Sequence, residues 1–431
     1  MTRVAQRFTA KGAPLLALVI ASTSIANADQ WWAVTAIDLL PGGTAASATD
    51  INDRGIVVGG SPVQIDGDWT VGVIWSHGRL RAVPEPAGVR YFQARAISSS
   101  GTIAGDASVS IGDNPAYVLL DSGSRRIGTL GGGEANSWAI NSHNVVVGSS
   151  EIDSTMSAPV HAFVWDDQLR DLGTLGGHYS DAHGVNDPGD VVGSSLVRLP
   201  FVDWVVRAVL WSDGVAYELG CLPGDLSSSA RAINNNGDIV GVSAIGWLPA
   251  DGSLAILWRG GEIIRIGPLV PDAPTGYRFE SFCTDINDHG EVIGSGEISF
   301  YSGVGFLWRD GVLVHLPALV APDNPWKPSP VAINNAGQIA CTLFHSTIPN
   351  TQRAGVLTPP ECRGFPRGDA NCDGVINNFD VDAFVMALAD VDAYAANLAA
   401  CNWLCNLDIN RDGYVNNFDI DPFVELLVSQ P

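Results

Sequence analysis

Residues 50–60, DINDRGIVVGG, decide the fold because the phrase recurs six more times along the chain. The later copies read AISSSGTIAGD, AINSHNVVVGS, GVNDPGDVVGS, AINNNGDIVGV, DINDHGEVIGS and AINNAGQIACT. The asparagine position of the seven copies recurs every 43 to 53 residues, at Asn52, Ser98, Asn141, Asn186, Asn234, Asn287 and Asn334. A period of roughly 20–50 residues is typical of a repeat architecture.

The turn chemistry of the phrase indicates strands. Three residues after the asparagine position stand six glycines and one asparagine: Gly55, Gly101, Asn144, Gly189, Gly237, Gly290 and Gly337. Glycine, and after it asparagine, tolerates a positive φ best. We therefore predict that N-x-x-G is a tight turn between two β-strands in every repeat.

Two further phrases complete each repeat, as in HAFVW (161–165) and LRDLGTLGG (169–177). Four strands in roughly 47 residues match one blade of a β-propeller. The seventh repeat lacks its fourth strand, whereas VTAIDLLPGG (34–43) near the N-terminus resembles one. We predict a mainly β fold in which residues 29–360 form a seven-bladed propeller, closed by pairing of residues 34–40 with 354–358. An open β-solenoid is the alternative, but it leaves the spare strand unpaired.

The cycle HAFVW…DLGTLGG…AxxINxxGxIVGxS resembles the HAF family of extracellular repeats over residues 33–360. This resemblance implies export and repetition, and it implies no particular chemistry.

Residues 1–28 have the features of a signal peptide. Arg3, Arg7 and Lys11 precede an apolar run over 13–21, and Ala26-Asn27-Ala28 fits a cleavage site. A frayed N-terminal helix is the alternative. No stretch is apolar for the roughly 20 residues that a bilayer span needs, which argues against an integral membrane protein. A net charge of −23 argues against nucleic-acid binding. We expect a secreted, extracellular or cell-surface protein, in which disulfides are permitted.

Residues 361–431 contain two twelve-residue loops, DANCDGVINNFD (369–380) and DINRDGYVNNFD (408–419), each followed by an apolar helix. Oxygen side chains at positions 1, 3, 5, 9 and 12 and glycine at position 6 match the spacing of an EF-hand, which binds calcium through oxygen ligands. We predict two Ca²⁺ ions. The first site comprises Asp369, Asn371, Asp373, the Val375 carbonyl, Asn377 and Asp380. The second comprises Asp408, Asn410, Asp412, the Tyr414 carbonyl, Asn416 and Asp419.

Aspartate at position 12 and the absence of a full helix before the first loop resemble a dockerin rather than a calmodulin-type hand, over residues 366–431. Dockerins are noncatalytic, calcium-dependent modules that bind cohesins and attach secreted proteins to a scaffold. Asn378-Phe379 and Asn417-Phe418 stand where cohesin recognition often uses Ser or Thr. Four cysteines of this module allow three disulfide pairings: Cys362, Cys372, Cys401 and Cys405. Export and the lack of nearby histidine argue against the alternative, a zinc site.

No catalytic motif is present: the chain has no G-x-S-x-G elbow and no P-loop. His178 and His183, with Asp181 between them, suggest either a metal site or surface histidines, and the repeat alignment favours the latter. The repeated tryptophans suggest packing between blades rather than a platform for sugars. Acids in the loops between blades allow glycoside chemistry without distinguishing a pair: Glu134, Asp181, Asp225, Asp272 and Asp323.

Two functions therefore remain. The first is a secreted noncatalytic propeller that binds a glycan or protein ligand and is tethered through its dockerin-like tail. The second is a carbohydrate-active enzyme, of glycoside hydrolase or lyase type, delivered by that tail. In either case we expect the ligand on the face that carries the variable loops between strands 2 and 3 and between blades. The aromatic residues of these loops are Trp69, Tyr179, Trp204, Trp247, Tyr277 and Trp326.

Overall fold

The computed structural model describes residues 31–360, except 65–67, 77, 111, 121, 156–157, 201, 247–251, 268–279, 300–301, 310 and 349–350. In the C-terminal segment it describes 367–373, 375–389, 394, 398, 406–407, 409, 415 and 417–429. The predicted signal peptide, most of the second calcium loop, and Trp247, Asp272 and Tyr277 lie outside these residues.

Seven four-stranded antiparallel sheets form the main domain, one for each sequence repeat. In six of them the strands pair in chain order. Blade 1 comprises β2 (Ser47–Ile51), β3 (Val57–Gln64), β4 (Asp68–Ser76) and β5 (Arg79–Ala82). Blade 2 comprises β6 (Tyr91–Ile97), β7 (Ile103–Ser108), β8 (Ala116–Leu120) and β9 (Gly123–Gly128). Blade 3 comprises β10 (Ala135–Ile140), β11 (Val146–Glu151), β12 (Val160–Trp165) and β13 (Leu169–Gly173).

The remaining blades continue the same order. Blade 4 comprises β14 (Ser180–Val185), β15 (Val191–Leu199), β16 (Val202–Ser212) and β17 (Val215–Glu218). Blade 5 comprises β18 (Ser227–Ile233), β19 (Ile239–Ala244), β20 (Ser253–Arg259) and β21 (Glu262–Arg265). Blade 6 comprises β22 (Ser281–Ile286), β23 (Val292–Ser299), β24 (Ser302–Arg309) and β25 (Val312–His315), with a short helix α1 (Leu316–Leu319) after it. Blade 7 contains β26 (Trp326–Ile333), β27 (Ile339–His345) and β28 (Gln352–Thr358).

The fourth strand of blade 7 is β1 (Ala33–Ala36), from the other end of the domain. Its register places Val34 opposite Leu357 and Ala36 opposite Gly355. The Ile37 amide then donates to the Ala354 carbonyl at 2.8 Å. The predicted closure is confirmed, although β1 is shorter than the predicted 34–40. The first strands of adjacent blades contact one another all around the ring, β26 with β2 included. The fold is therefore a closed seven-bladed β-propeller, and the open solenoid is excluded.

The repeated asparagine and glycine positions have structural roles. All seven residues at the turn position have positive φ, including Asn144 at 63°. The asparagine side chain folds over this turn: Asn234 Oδ1 accepts the backbone N–H groups of Asn236 and Asp238. Its Nδ2 donates to the Asn287 carbonyl of the next blade at 3.0 Å. The predicted turn is confirmed, and the same side chain also joins adjacent blades.

The core lies between blades. In the cluster between blades 2 and 3, Trp165 packs with Val118 and Val146. The tryptophans at the last or second-last position of the third strands pack in such clusters in five blades: Trp75, Trp165, Trp211, Trp258 and Trp308. The predicted packing role of these residues is confirmed.

The described part of the C-terminal segment contains two ten-residue helices, α2 (Asp380–Ala389) and α3 (Ile420–Ser429). Each follows one of the loops, and Phe384 of α2 stacks on the equivalent Phe423 of α3 with ring centroids 4.0 Å apart. Tyr394, Leu407 and the loop residue Ala370 complete this small core. Among the described residues, no helix is long and apolar enough to cross a membrane.

Candidate functional site in the central channel

A β-bulge interrupts the first strand of every blade. In blade 1, Ala48 pairs with Gly59 and Asp50 with Val58, which leaves Thr49 as the extra residue. The other blades have the same register shift, and the seven extra residues are Thr49, Arg95, Trp138, His183, Arg231, Thr284 and Val331. Bulges commonly redirect a side chain, and they are frequent next to active sites.

The bulge explains why a glycine faces it on the second strand of the blade. A Cβ at Gly148 would lie 1.9 Å from the Asn136 carbonyl oxygen, and one at Gly241 would lie 2.1 Å from the Ser229 carbonyl oxygen. The backbone of the first strand passes too close for any side chain. Blades 1 to 6 conserve this glycine, and blade 7 replaces it with Cys341 opposite Pro330.

All seven bulge side chains line one cavity in the central channel, with a volume of about 220 Å³. The channel is enclosed by the first strands, and its lining differs from side to side. Blades 2 to 5 contribute Arg95, Trp138, His183 and Arg231, whereas blades 6, 7 and 1 contribute Thr284, Val331 and Thr49. At the bulge position, repeats that are otherwise similar thus present five different residue types around one cavity: Thr, Arg, Trp, His and Val.

The basic and aromatic side of the channel is a connected network. Arg95 Nε lies 2.6 Å from Asp106 Oδ2, and its guanidinium lies over the Trp138 ring, 5.2 Å from the centroid. The Trp138 ring is 6.2 Å from the His183 ring. His183 Nε2 in turn lies 3.5 Å from Arg231 Nη1. Four consecutive blades therefore supply one continuous surface of cationic and aromatic groups.

His183 is not a surface residue, so that interpretation of the sequence is wrong. The bulge directs it into the channel, where its side chain is only 13% exposed. Burial lowers its pKa to about 4, and the nearby Arg231 also lowers it, against an opposite effect of Asp181. The imidazole is therefore neutral at pH 7. Asp181 also belongs to this strand rather than to a loop, and it accepts a hydrogen bond from the Tyr179 hydroxyl at 3.3 Å.

Two carboxyl groups face the other side of the channel. Asp50 and Asp285 occupy equivalent positions in blades 1 and 6, where the other blades have Ala or Gly. Burial raises the pKa of each to about 7, and each carboxylate accepts two backbone N–H hydrogen bonds that oppose this rise. For Asp50 these come from Ile51 and from Ile97 of the next blade. Sequence reasoning missed this pair, although an Asp in place of a repeated Ala or Gly was visible.

One end of the channel is formed by polar residues of the N-x-x-G turns, which join the first and second strands of each blade. Asn335 donates its backbone N–H to Asp53 Oδ1 at 2.8 Å, and Asp288 donates to Asn335 Oδ1 at 2.9 Å. Equivalent hydrogen bonds run from the Asp187 N–H to Asn235 Oδ1 and from the Asn235 N–H to Asp288 Oδ1. These residues therefore join blades, and their oxygens are occupied by neighbouring N–H groups.

The opposite face carries the loops between strands 2 and 3 and between blades. Two of the predicted aromatics pack edge-on against histidines there: Trp204 against His178 at 6.0 Å and Trp326 against His345 at 5.1 Å. Phe282, at the start of β22, is 45% exposed at the same end of the first strands. Of Trp69 the structure describes only the backbone. The channel opens toward an aromatic-bearing face, which is the face predicted to bind ligand.

The first predicted calcium loop is described except for Gly374. Asp380 accepts the N–H groups of Asn371 and Asn377, and Asp369 accepts that of Asp373, so the loop closes on its own ends. Asp369 and Asp380 are fully buried. The donor set of three carboxylates, two amides and the Val375 carbonyl has the hard oxygen chemistry that calcium requires. Among the described residues, however, no three His, Cys, Asp or Glu side chains converge in a metal-binding arrangement.

Of the second loop, only Asp419 among the predicted ligands is described. It is fully buried and accepts the Ile409 N–H at 2.7 Å. Asp408, Asn410, Asp412, Tyr414 and Asn416 lie outside the described residues. Cys372 is disulfide-bonded, and Cys362, Cys401 and Cys405 also lie outside them. In the propeller Cys283 and Cys341 are buried free thiols, whereas Cys221 is half-buried and contacts Arg207.

No family model matches the chain. No curated protein matches it either. Among solved structures, the β-propeller domain of the Trilobed protease from Pyrococcus furiosus is similar, with a TM-score of 0.50, 14% identity, and coverage of 73% of this chain and 94% of that one. That domain is described as having an open velcro topology, whereas β1 completes the last blade here.

Two polysaccharide-active proteins show weaker similarity. A polysaccharide lyase of family PL25, an ulvan lyase, has a TM-score of 0.42 and 9% identity, covering 77% of this chain and 96% of that one. The GH74 xyloglucanase from Xanthomonas campestris has a TM-score of 0.41 and 12% identity, covering 73% of this chain and 52% of that one. At these identities the similarity concerns the fold alone: the chain is a seven-bladed β-propeller.

Proposed function

We propose that this protein is a secreted, noncatalytic binding module. Its propeller binds a ligand in the central channel, and its C-terminal module tethers the chain through calcium to an extracellular or cell-surface scaffold. The observation that carries the proposal is the set of seven bulges, which direct side chains of five different residue types into one cavity. Variation confined to one site of a uniform repeat is typical of a binding surface.

The C-terminal module supports the tethering role by its chemistry. Its two loops supply only oxygen ligands, and its short helices enclose little apolar core. Residues 361–431 carry twelve acids against Arg363, Arg367 and Arg411, so bound cations would relieve strong repulsion between carboxylates. The dockerin resemblance of this segment points to a cohesin-like partner protein. The signal-peptide features of residues 1–28 and the HAF resemblance support export.

The exposed apolar residues of the module are a suitable surface for such a partner. Val381 and Val385 lie four residues apart on α2, and Ile420, Val424 and Val428 have the same spacing on α3. Exposed apolar groups in regular helical spacing are typical of a protein-docking face.

Asp50 and Asp285 favour the second candidate, a carbohydrate-active enzyme. Glycoside hydrolysis uses a pair of carboxyl groups, of which the general acid has a raised pKa, and Asp50 and Asp285 are two carboxyl groups in one channel with a pKa of about 7. Their hydrogen bonds argue for a structural role, because each carboxylate is held by the N–H of its own strand and of the next blade. We therefore propose binding rather than catalysis.

The test is a glycan-array screen of the full chain and of Val331→Trp, which would fill the cavity from its least polar position. Val215→Trp is the matched control, because Val215 is exposed on the outermost strand of blade 4. We expect the parent chain and Val215→Trp to bind the same glycans and Val331→Trp to bind none. Equal binding by Val331→Trp would overturn the channel assignment. Release of new reducing ends or unsaturated products from a bound glycan, lost in Asp50→Ala, would establish the enzyme instead.

A further inference from the structure

The two arginines that line the channel, Arg95 and Arg231, differ in their contacts with carboxylates. Arg95 has a carboxylate partner, since Asp106 lies 2.6 Å from its Nε and also accepts the Ser137 N–H at 2.7 Å. Arg95 is therefore already paired within the protein: burial raises the pKa of Asp106, and the contact with Arg95 lowers it. Its other contact, with the face of Trp138, fixes the guanidinium in place.

Arg231 differs from Arg95 in both respects. Its side chain is exposed to the channel, and among the described residues it forms no ion pair with a carboxylate. Its neighbour across the blade boundary is His183, which is neutral at pH 7 because burial disfavours the imidazolium. Arg231 therefore presents a guanidinium with no direct carboxylate contact beside a neutral imidazole, and Asp181 lies 3.8 Å from the Nε2 of that imidazole. A guanidinium in this situation can bind a carboxylate in a bidentate arrangement, because two parallel N–H groups match its two oxygens.

The facing side of the channel has the chemistry for hydroxyl groups. Thr49 and Thr284 supply hydroxyl oxygens, whose hydrogens are donated to backbone carbonyls, and Asp50 and Asp285 supply carboxyl oxygens at the next position along the same strands. Both carboxyl groups already accept two backbone N–H bonds, and their raised pKa weakens them as partners for a cation. Hydroxyl groups of a ligand can donate to these oxygens and also accept from a protonated carboxyl group, whereas an ammonium group can only donate.

The size of the cavity limits the ligand. Its volume of about 220 Å³ is below the roughly 300–1,000 Å³ of pockets for drug-sized ligands. One sugar ring is of the appropriate size. Trp138, beside His183, adds an aromatic surface that can contact the apolar face of such a ring.

We infer that the channel ligand is a sugar acid, a single-ring polyhydroxylated carboxylate. Its carboxylate binds Arg231, and its hydroxyl groups face Thr49, Thr284, Asp50 and Asp285. This inference rests on the proposed function and adds the class of ligand and the residue that selects it. Selection for carboxylate over a neutral sugar resides in Arg231, because Arg95 is already paired.

The test is calorimetric titration of the full chain with three probes of one ring size: glucuronate, glucose and glucosamine. We expect glucuronate to bind at least about 30-fold more tightly than the other two, which lack the group that pairs with Arg231. In Arg231→Gln the affinity for glucuronate falls by about 30-fold or more, and in Arg231→Lys it falls less. The matched control is Arg81→Gln, an exposed arginine on the outermost strand of blade 1, which binds like the parent chain.

Several results would overturn the inference: no binding of glucuronate, equal binding of glucose or glucosamine, or unchanged affinity in Arg231→Gln. The comparison of probes on the parent chain decides the question even where a variant folds poorly. Failure of the inference differs from failure of the proposed function. A neutral ligand whose binding is lost in Val331→Trp removes only the sugar-acid assignment, whereas binding unaffected by Val331→Trp removes the channel as the site.

Discussion

Asn334 donates its side-chain amide to the Asn52 backbone carbonyl at 2.9 Å, across 282 residues of sequence. The same bond joins Asn52 to Ser98, Asn141 to Asn186, and each later asparagine to the next. One bond of this ring is missing, because Ser98 is too short to reach the carbonyl of Asn141. The Ser98 hydroxyl instead accepts the Thr102 N–H within its own turn.

This gap gives the first prediction. Ser98→Asn should stabilise the propeller by about 1 kcal/mol, because it supplies the missing hydrogen bond between blades 2 and 3. Asn234→Ser, the reverse change at an intact position, should destabilise it by about 1 kcal/mol, because it removes the hydrogen bond to the Asn287 carbonyl and leaves that carbonyl with only the Gly290 N–H. Urea unfolding of both variants measures the difference. A destabilised Ser98→Asn would show that the side chain does not fit as it does in the other blades.

The second prediction concerns closure of the ring. Ile37 follows β1 and is 2% exposed in the cluster between blades 7 and 1. Ile37→Ala should lower the free energy of unfolding by about 2–5 kcal/mol, as large-to-small changes in a core do. Thr35→Ala, on an exposed position of the same strand, is the control and should change it little. Similar stability of both variants would contradict the closed ring.

The third prediction concerns pH. The folded-state pKa of Asp50 and Asp285 is about 7, above their usual 3.8, so the folded protein holds more protons than the unfolded chain between these values. Their contribution to stability is complete below about pH 4 and is lost as the pH rises through 7. His183, with its pKa lowered to about 4, acts in the opposite direction between pH 4 and 6.5.

Comparison of variants separates these effects. The double variant Asp50→Ala/Asp285→Ala retains His183 and places alanine, as in most other blades, at both positions. Its free energy of unfolding, relative to that of the parent chain, should therefore increase as the pH rises from 4 to 8. Urea unfolding at several pH values measures this difference. A constant difference would mean that the two carboxyl groups titrate normally.

The fourth prediction concerns calcium. Calorimetric titration of the full chain should show two Ca²⁺ ions, and Asp380→Ala should leave one, because position 12 closes the first loop. Asp382→Ala is the matched control, since Asp382 is two residues away and exposed. Two ions should also raise the thermal stability of the module, because binding only to the folded state stabilises it. Absence of binding, or two ions in Asp380→Ala, would refute the assignment.

The sequence predicted the blades and their closure because both depend on local signals. The N-x-x-G turn needs a positive φ, and the spare strand near Val34 has the pattern of the strand missing from blade 7. The channel could not be predicted in the same way. Whether His183 points inward depends on a bulge, and a bulge depends on the pairing of Ala182 with Gly193 across two strands. The sequence signal for the bulge was one position in the first strand that varies between repeats, preceded by a small residue, while the rest of the repeated phrase is nearly constant.

Ligand binding inside the propeller is tested most directly by a crystal structure of the full chain soaked in glucuronate. We predict difference density in the cavity lined by the seven bulge residues, with the carboxylate against Arg231 and hydroxyl groups toward Thr284. Density confined to the outer loops or to the turns of the opposite face, with the channel holding only solvent, would contradict the account.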